Sequence, residues 1–273
     1  MLFLFRSKSF AEVVSLLKHQ NVEYLHFTGI DNILTKWADP LMVGVLDNQP
    51  EQLVLCKYAK KLHPFEKTGV FALVEGQPYV VEYSIIGETL AQKRDPDTQE
   101  LMYGMSNILN FMFRLRFFEE YAMNPNNLQL LTSKYNVAVK DVQHFTFDKD
   151  KQVLTEKVPK FELFVHECFR LCPSDKFSLL ACDRYEEFAP IKNSTKEPVD
   201  NPDTALTMYA KYHQKLLQKA GYQIGRSSPH VEGEASSTNI CGIWPSLSYD
   251  GENLPHPPAS GTPIQLPFVL HSS

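Results

Sequence analysis

The apolar positions of the chain fall into short runs with two different periods. Phe10, Val13, Val14, Leu16 and Leu17 recur at helical spacing and predict an amphipathic helix over residues 10–19. Residues 22–27 are β-branched and aromatic and predict a strand, which Gly29 closes just before Asp31 and Asn32. Beyond Asp39-Pro40 the pattern predicts strands over residues 41–46 and 53–58, then a hairpin over 69–83 that turns at Glu75-Gly76. Residues 87–94 have a helical pattern, and the apolar run from Ile108 to Phe117 reads as a buried helix. A polar stretch over 148–158 precedes an apolar helix over 161–171 and a strand over 177–181. After a polar loop over 194–203 comes a helix over 204–220. From Arg226 onward Pro, Ser and Gly dominate, with apolar islands at 240–244 and 264–270. Residues 226–273 are therefore expected to form a small loop-rich C-terminal unit beside a main domain of residues 1–225.

Helices alternating with strands indicate an α/β fold, and in such folds ligands gather beyond the carboxyl ends of the strands. Asp31 stands at such an end. A carboxylate there can hold Mg²⁺ against phosphate oxygens, whereas a purely structural alternative has Asp31 and Asn32 capping the next short helix. Glu82 interrupts the apolar strand YVVEYS, so it either faces outward by strand alternation or turns toward donors in a cavity.

Composition narrows the function classes. Hydrophobic content of 43% and charged content of 22% suit a soluble globular enzyme, and a net charge of -5 leaves no basic footprint for nucleic acid or acidic membranes. The opening MLFLFRSKSF is too short for a membrane span or a signal sequence. Cys56, Cys168, Cys172, Cys182 and Cys241 are odd in number and irregular in spacing, which favours a reduced, cytoplasmic setting. His166, Cys168, Cys172 and Cys182 invite a zinc reading, but Cys168 and Cys172 lie in an apolar run and no zinc-knuckle spacing is present, so core thiols are expected. No Gly-rich phosphate-loop pattern occurs in the 273 residues.

Five segments, IDNILTKWADP (30–40), VVEYS (80–84), EEFAPIKN (186–193), DNPDTA (200–205) and PSLSYDGENL (245–254), resemble in order and approximate spacing the eukaryotic UDP-N-acetylhexosamine pyrophosphorylase family. The resemblance corresponds to the back half of a family member. It departs from the family at YGMSNI (103–108), where the pattern is similar to FNAGNI, and at KFELFVHE (160–167), where His166 replaces an aromatic. The family's GG-x-G-T-R-L-G loop, whose amides hold the UTP phosphates, has no counterpart in this sequence.

The resemblance implies a partial Rossmann-like, three-layer α/β/α nucleotidyltransferase domain of GT-A-like type. It implies a uridylyltransferase that makes UDP-N-acetylglucosamine and pyrophosphate from UTP and N-acetylglucosamine 1-phosphate, with Mg²⁺ as cofactor. Asp31 would match the metal-binding carboxylate and Lys192 the lysine that neutralises phosphate, both in catalytic roles. Lys192 as an ordinary surface lysine is the plain alternative. Gly69, Glu82, Asn107 and Asn32 would match substrate contacts: a backbone close approach, a hydroxyl acceptor and two amide partners. The expected partners are UTP and an N-acetylhexosamine 1-phosphate, with a second copy or a full-length homologue as protein partner, and neither nucleic acid nor membrane. The alternative within the same resemblance is a non-catalytic remnant that binds sugar phosphate or dimerises.

Overall fold

Helix α1 (Ser9–His19) buries Phe10 and Val14, one turn apart on its inner face, and leads into β1 (Tyr24–Thr28). The structure is a computed structural model that describes residues 9–127, 135–145, 153–225, 240–257 and 262–271. Most of the opening apolar patch (1–8), positions 148–152 of the polar stretch and 226–239 of the loop-rich tail lie outside the described residues. By its contacts the chain divides into two units. The first takes in residues up to Phe27, Ala38–Asn107 and Phe111–Leu180; the second takes in Thr28–Trp37, Ile108–Asn110 and the residues from Ala181 onward.

In the first unit, helix α2 (Pro40–Asn48) stands where the pattern predicts a strand over 41–46. Its start is specified locally. Asp39 accepts a hydrogen bond from the Leu41 amide at 2.9 Å, and Pro40 occupies the first turn, where its missing N–H has no intrahelical partner to lose. Met42 and Leu46, four residues apart, form its buried face.

The central sheet contains β1 with β2 (Val54–Lys60), β3 (Val70–Val74), β4 (Gln77–Val81), β5 (Met105–Arg114) and, after the separate antiparallel ribbon of β6 (Asn136–Phe145) and β7 (Val153–Glu162), β8 (Phe177–Ala181). Its order is β4-β3-β5-β2-β8, with β1 also paired to β5. The predicted helix over 108–117 is therefore mostly strand. Phe111, Met112 and Phe113 are all buried, and successive strand residues point to opposite faces, so both faces of β5 are covered there. A strand covered on both sides reads as an unbroken apolar run without a period, which is why helix and strand could not be told apart.

The helix predicted over 161–171 is also revised: β7 runs to Glu162, and Val165–Leu171 forms a 3₁₀ segment. Its Phe169 ring meets Phe111 edge-on at 4.9 Å and Phe177 at 5.1 Å. These aromatic contacts fix the segment to the sheet more strongly than its helical propensity would. Cys168 and Cys172 are core thiols, as expected, and none of the five cysteines forms a disulfide. Over residues 87–94 only the single turn Glu88–Ala91 is helical.

In the second unit, α3 (Pro202–Lys219) begins at a capping box in which Asn201 and Thr204 satisfy each other's backbone, with Pro202 in the first turn. It packs on a two-stranded parallel pair, β9 (Cys241–Ile243) with β10 (Phe268–Leu270), through buried Leu217, Cys241 and Ile243.

The first unit also holds a charge pair that the pattern did not announce. Lys57, 1% exposed within β2, pairs with the carboxylate of Asp39, which caps α2 with its other oxygen. Removing one partner strands the other in the core. Lys57→Met is expected to cost about 3–5 kcal/mol in urea unfolding, and the double variant Lys57→Met/Asp39→Ser, which keeps a capping oxygen, is expected to recover most of that loss. Equal stability of the single and double variants would show that the charges are not coupled.

Candidate functional site

The turn that carries Asp31 is built by close approach of backbones. Gly29 donates its N–H to Leu109 O at 2.8 Å. A Cβ on Gly29 would lie 2.7 Å from Asp31 Oδ1 and 3.2 Å from Leu109 Cβ, so no larger residue fits without displacement. Leu109 holds φ at +54°, a left-handed conformation that costs a non-glycine residue energy.

Asn32, 5% exposed, directs its side chain to backbone. Oδ1 accepts from Ala189 N at 2.8 Å and Leu34 N at 3.2 Å, and Nδ2 donates to Glu187 O at 2.7 Å. Asn32 and Pro190 form an antiparallel bridge, and Ile191 N donates to Asp31 O at 2.9 Å. Lys192 follows with an exposed side chain, while its amide and that of Asn193 both donate to Asp200 O. Asp31 and Lys192 thus sit on paired segments of the second unit. Among the described residues, neither side chain has a hydrogen-bond or ion-pair partner.

The terminal motif braces the same turn. Lys36 Nζ reaches Asp250 Oδ2 at 2.8 Å, and Tyr249 Oη donates to Trp37 O at 2.9 Å. Glu252 closes the motif on itself by accepting from the amides of Tyr249 and Asp250, each at 2.6 Å. Two segments that carry the family resemblance are therefore in contact, a link that no spacing along the chain could reveal.

The first unit gathers the other sequence-selected residues. Gly69 O accepts from Asn107 N at 2.8 Å. A Cβ on Gly69 would lie 2.8 Å from Val80 Cγ1 and 3.1 Å from Glu82 Oε1, so the carboxylate of Glu82 lies over the glycine. Sequence alone left Glu82 between an outward and a turned-in position; its side chain is partly exposed, and Oε1 lies 3.6 Å from Nε2 of buried His166. Burial pulls the His166 pKa down to about 4. Two cavities also open in this unit. One of about 540 Å³ is lined by Lys60, Lys61, Arg94, Glu100 and Met105, and Met105 stands two residues before Asn107; one of about 310 Å³ is lined by Tyr83 and Ser84, which directly follow Glu82.

Among the described residues no group of three His, Cys, Asp or Glu could hold a metal ion. Asp31 offers one carboxylate without a side-chain partner among the described residues, and that donor fits Mg²⁺, which takes one or two carboxylates, keeps waters and relies on substrate phosphates for the rest. No helix among the described residues is long and apolar enough to cross a membrane.

No protein-family model matches the chain. Among solved structures it is similar to a "putative UDP-N-acetylglucosamine pyrophosphorylase" from Entamoeba histolytica, with 27% identity and a TM-score of 0.76 over 98% of this chain and 62% of that one. It is also similar to the uridine diphosphate N-acetylglucosamine pyrophosphorylase from Trypanosoma brucei, with 26% identity and a TM-score of 0.68 over 88% of this chain and 46% of the other. The fold is thus the nucleotidyltransferase-like α/β fold of the UDP-sugar pyrophosphorylases. Among curated proteins, UDP-N-acetylhexosamine pyrophosphorylase-like protein 1 is 30% identical in Xenopus tropicalis, over 99% of this chain and 53% of that protein. The human protein of the same name is 32% identical, over 95% of this chain and 51% of its own length. The chain is a homologue of these two proteins and spans about half the length of the curated relatives it matches.

Two expectations follow. Gly69→Ala forces Val80 and Glu82 aside and should destabilise the chain by about 1–3 kcal/mol in urea unfolding, the usual cost of overpacking; an unchanged midpoint would show that the site relaxes freely. The second concerns His166 and His213, whose Nδ1 accepts from Ile243 N at 2.7 Å and whose pKa burial also lowers to about 4. Unfolded, each returns to the ordinary histidine value of 6.5, so between about 4 and 6.5 the unfolded chain binds more protons. Stability should be full above that window and fall as pH drops through it, each histidine contributing a slope of up to about 1.4 kcal/mol per pH unit. Urea midpoints at pH 7 and pH 5 that coincide would contradict this.

Proposed function

We propose that this chain provides the sugar-phosphate side of a UTP-dependent uridylyltransferase that forms UDP-N-acetylglucosamine and pyrophosphate from UTP and N-acetylglucosamine 1-phosphate, in the cytoplasm. The observation that carries the proposal is the pairing of the Asp31 and Lys192 segments, which presents a carboxylate and an ammonium without side-chain partners among the described residues. The names of the relatives support the substrate assignment.

In this reaction an oxygen of the sugar 1-phosphate attacks the α-phosphorus of UTP in line, and pyrophosphate leaves. No covalent enzyme intermediate is needed, so positioning and charge neutralisation account for most of the catalysis. Lys192 neutralises phosphate charge. Asp31 would hold Mg²⁺, which supplies Lewis-acid charge to phosphate oxygens when bound. In the first unit, Glu82 accepts hydrogen bonds from sugar hydroxyls, Gly69 leaves room for that carboxylate beside the sugar, and Asn107 offers an amide. Asn32 serves the site through the backbone it holds, with its assignment as a direct contact resting on the resemblance alone.

The 273 residues contain no Gly-rich phosphate loop, and each preorganised donor of that kind is typically worth about 10²-fold or more in rate. The purified chain is therefore expected to bind N-acetylglucosamine 1-phosphate in calorimetry with Mg²⁺ while releasing little or no pyrophosphate when UTP is added. Lys192→Ala should weaken binding about tenfold, the usual loss for a hydrogen bond to a charged group, and Asp31→Asn should remove the Mg²⁺ dependence with little change in stability. Turnover at ordinary enzyme rates would contradict the one-sided assignment. Binding that is silent to both substitutions would contradict the site. Sugar-phosphate binding that no supplied UTP-binding half can turn into catalysis would favour the alternative of a non-catalytic binding or dimerisation module.

A further inference from the structure

His166 is the clearest energetic liability of the first unit's cluster. It lies in the 3₁₀ segment, 3% exposed, and among the described residues neither ring nitrogen has a hydrogen-bond partner. Leaving a buried donor or acceptor unsatisfied costs about 1–3 kcal/mol, so such a group calls for a physical reason. Packing explains the ring but not the nitrogens: the imidazole stacks on Phe164 at 4.9 Å and lies 6.3 Å from the Phe169 ring, and both neighbours would accommodate an apolar side chain equally well.

The segment is firmly placed. Tyr79 Oη donates to Glu167 Oε1 at 3.3 Å, and the Arg170 guanidinium lies 5.7 Å from the centre of the Tyr79 ring, which ties both ends of the 3₁₀ segment to β4. On that rigid support Nε2 faces Glu82 Oε1 at 3.6 Å, just beyond hydrogen-bond length, and the same oxygen lies over Gly69. A neutral imidazole has one N–H and one lone pair. Facing a carboxylate, Nε2 carries the proton and Nδ1 the lone pair. A neutral donor is well matched to Glu82, because it orients the carboxylate without cancelling its charge.

We propose that His166 is a positioning residue for Glu82, whose Nε2–H holds the carboxylate beside Gly69 in the orientation that accepts hydroxyl groups of a bound hexose phosphate, closing to hydrogen-bond length when the ligand is in place. This rests on the reading of Glu82 as the sugar-hydroxyl acceptor. It adds a residue whose part is to aim that acceptor at a ring hydroxyl.

The test combines a spectrum of the ligand-free chain with binding by variants. In the chain labelled with ¹⁵N-histidine at neutral pH, the His166 imidazole is expected to be the neutral Nε2–H tautomer, with an Nε2 resonance that moves in Glu82→Gln and moves further downfield when N-acetylglucosamine 1-phosphate is added to the unaltered chain. His166→Gln keeps a donor and is expected to bind this ligand within about threefold of the unaltered chain. His166→Phe keeps the packing without the donor and is expected to lose about tenfold. An Nδ1–H tautomer, an Nε2 resonance indifferent to Glu82→Gln, or equal binding by the Phe and unaltered chains would each overturn the inference. Absence of any sugar-phosphate binding by the unaltered chain would instead condemn the functional reading of the site, while the ligand-free spectrum still decides the bond between His166 and Glu82.

Discussion

The side chain of Asn32 holds the second unit's site in place. Two hydrogen bonds from one buried amide tie the turn after β1 to Glu187 and Ala189, across more than 150 residues of sequence, and a third holds Leu34 within the turn itself. An amide is the right group for this because it offers an acceptor and donors together, whereas a carboxylate there would face Glu187 O with no proton to give. Once that tie is made, the carbonyl of Asp31 and the amide of Ile191 are aligned to bond, and Lys192 follows one residue later. Gly29 and the strained Leu109 belong to the same construction, since the chain must pass close beneath Asp31 to reach it. Strain stored beside a solvent-reaching carboxylate is the pattern expected of a site whose geometry has been favoured over local comfort.

Much of the framework was legible in the sequence, and the failures have physical reasons. β8 spans the predicted residues 177–181, and α3 starts two residues before the predicted 204 because its Asn201 cap and Pro202 read as part of the polar loop. α2 was misread because the six-residue apolar run 41–46 satisfies either period, although Asp39-Pro40 carried a helix-start signal. β5 was misread because burial on both faces erases alternation. Lys57, alone among apolar neighbours in LVLCKYA, was a visible sign of a buried partner, but nothing in the sequence names Asp39 as that partner.

The candidate site was legible to a different degree. The residues came from ordered motifs, and the structure gathers them into two groups, Gly69, Glu82 and Asn107 in one unit and Asp31, Asn32 and Lys192 in the other. Sequence could not show that Asn32 spends its amide on backbone, or that the motif at 245–254 braces the turn at 36–37. Nor could it show His166 facing Glu82: the residue stood out as a substitution in an aromatic pattern, but its partner lies more than 80 positions earlier.

The claim with the greatest consequence is that Asp31 and Lys192 act on the same phosphate. A double-mutant cycle of Asp31→Asn and Lys192→Ala, read as affinity for N-acetylglucosamine 1-phosphate with Mg²⁺ present, addresses it directly. Groups that serve one phosphate should be coupled, so the double variant should be less impaired than the product of the two single losses, with a coupling of about 0.5–3 kcal/mol. Losses that simply multiply would show two independent side chains and contradict a shared site.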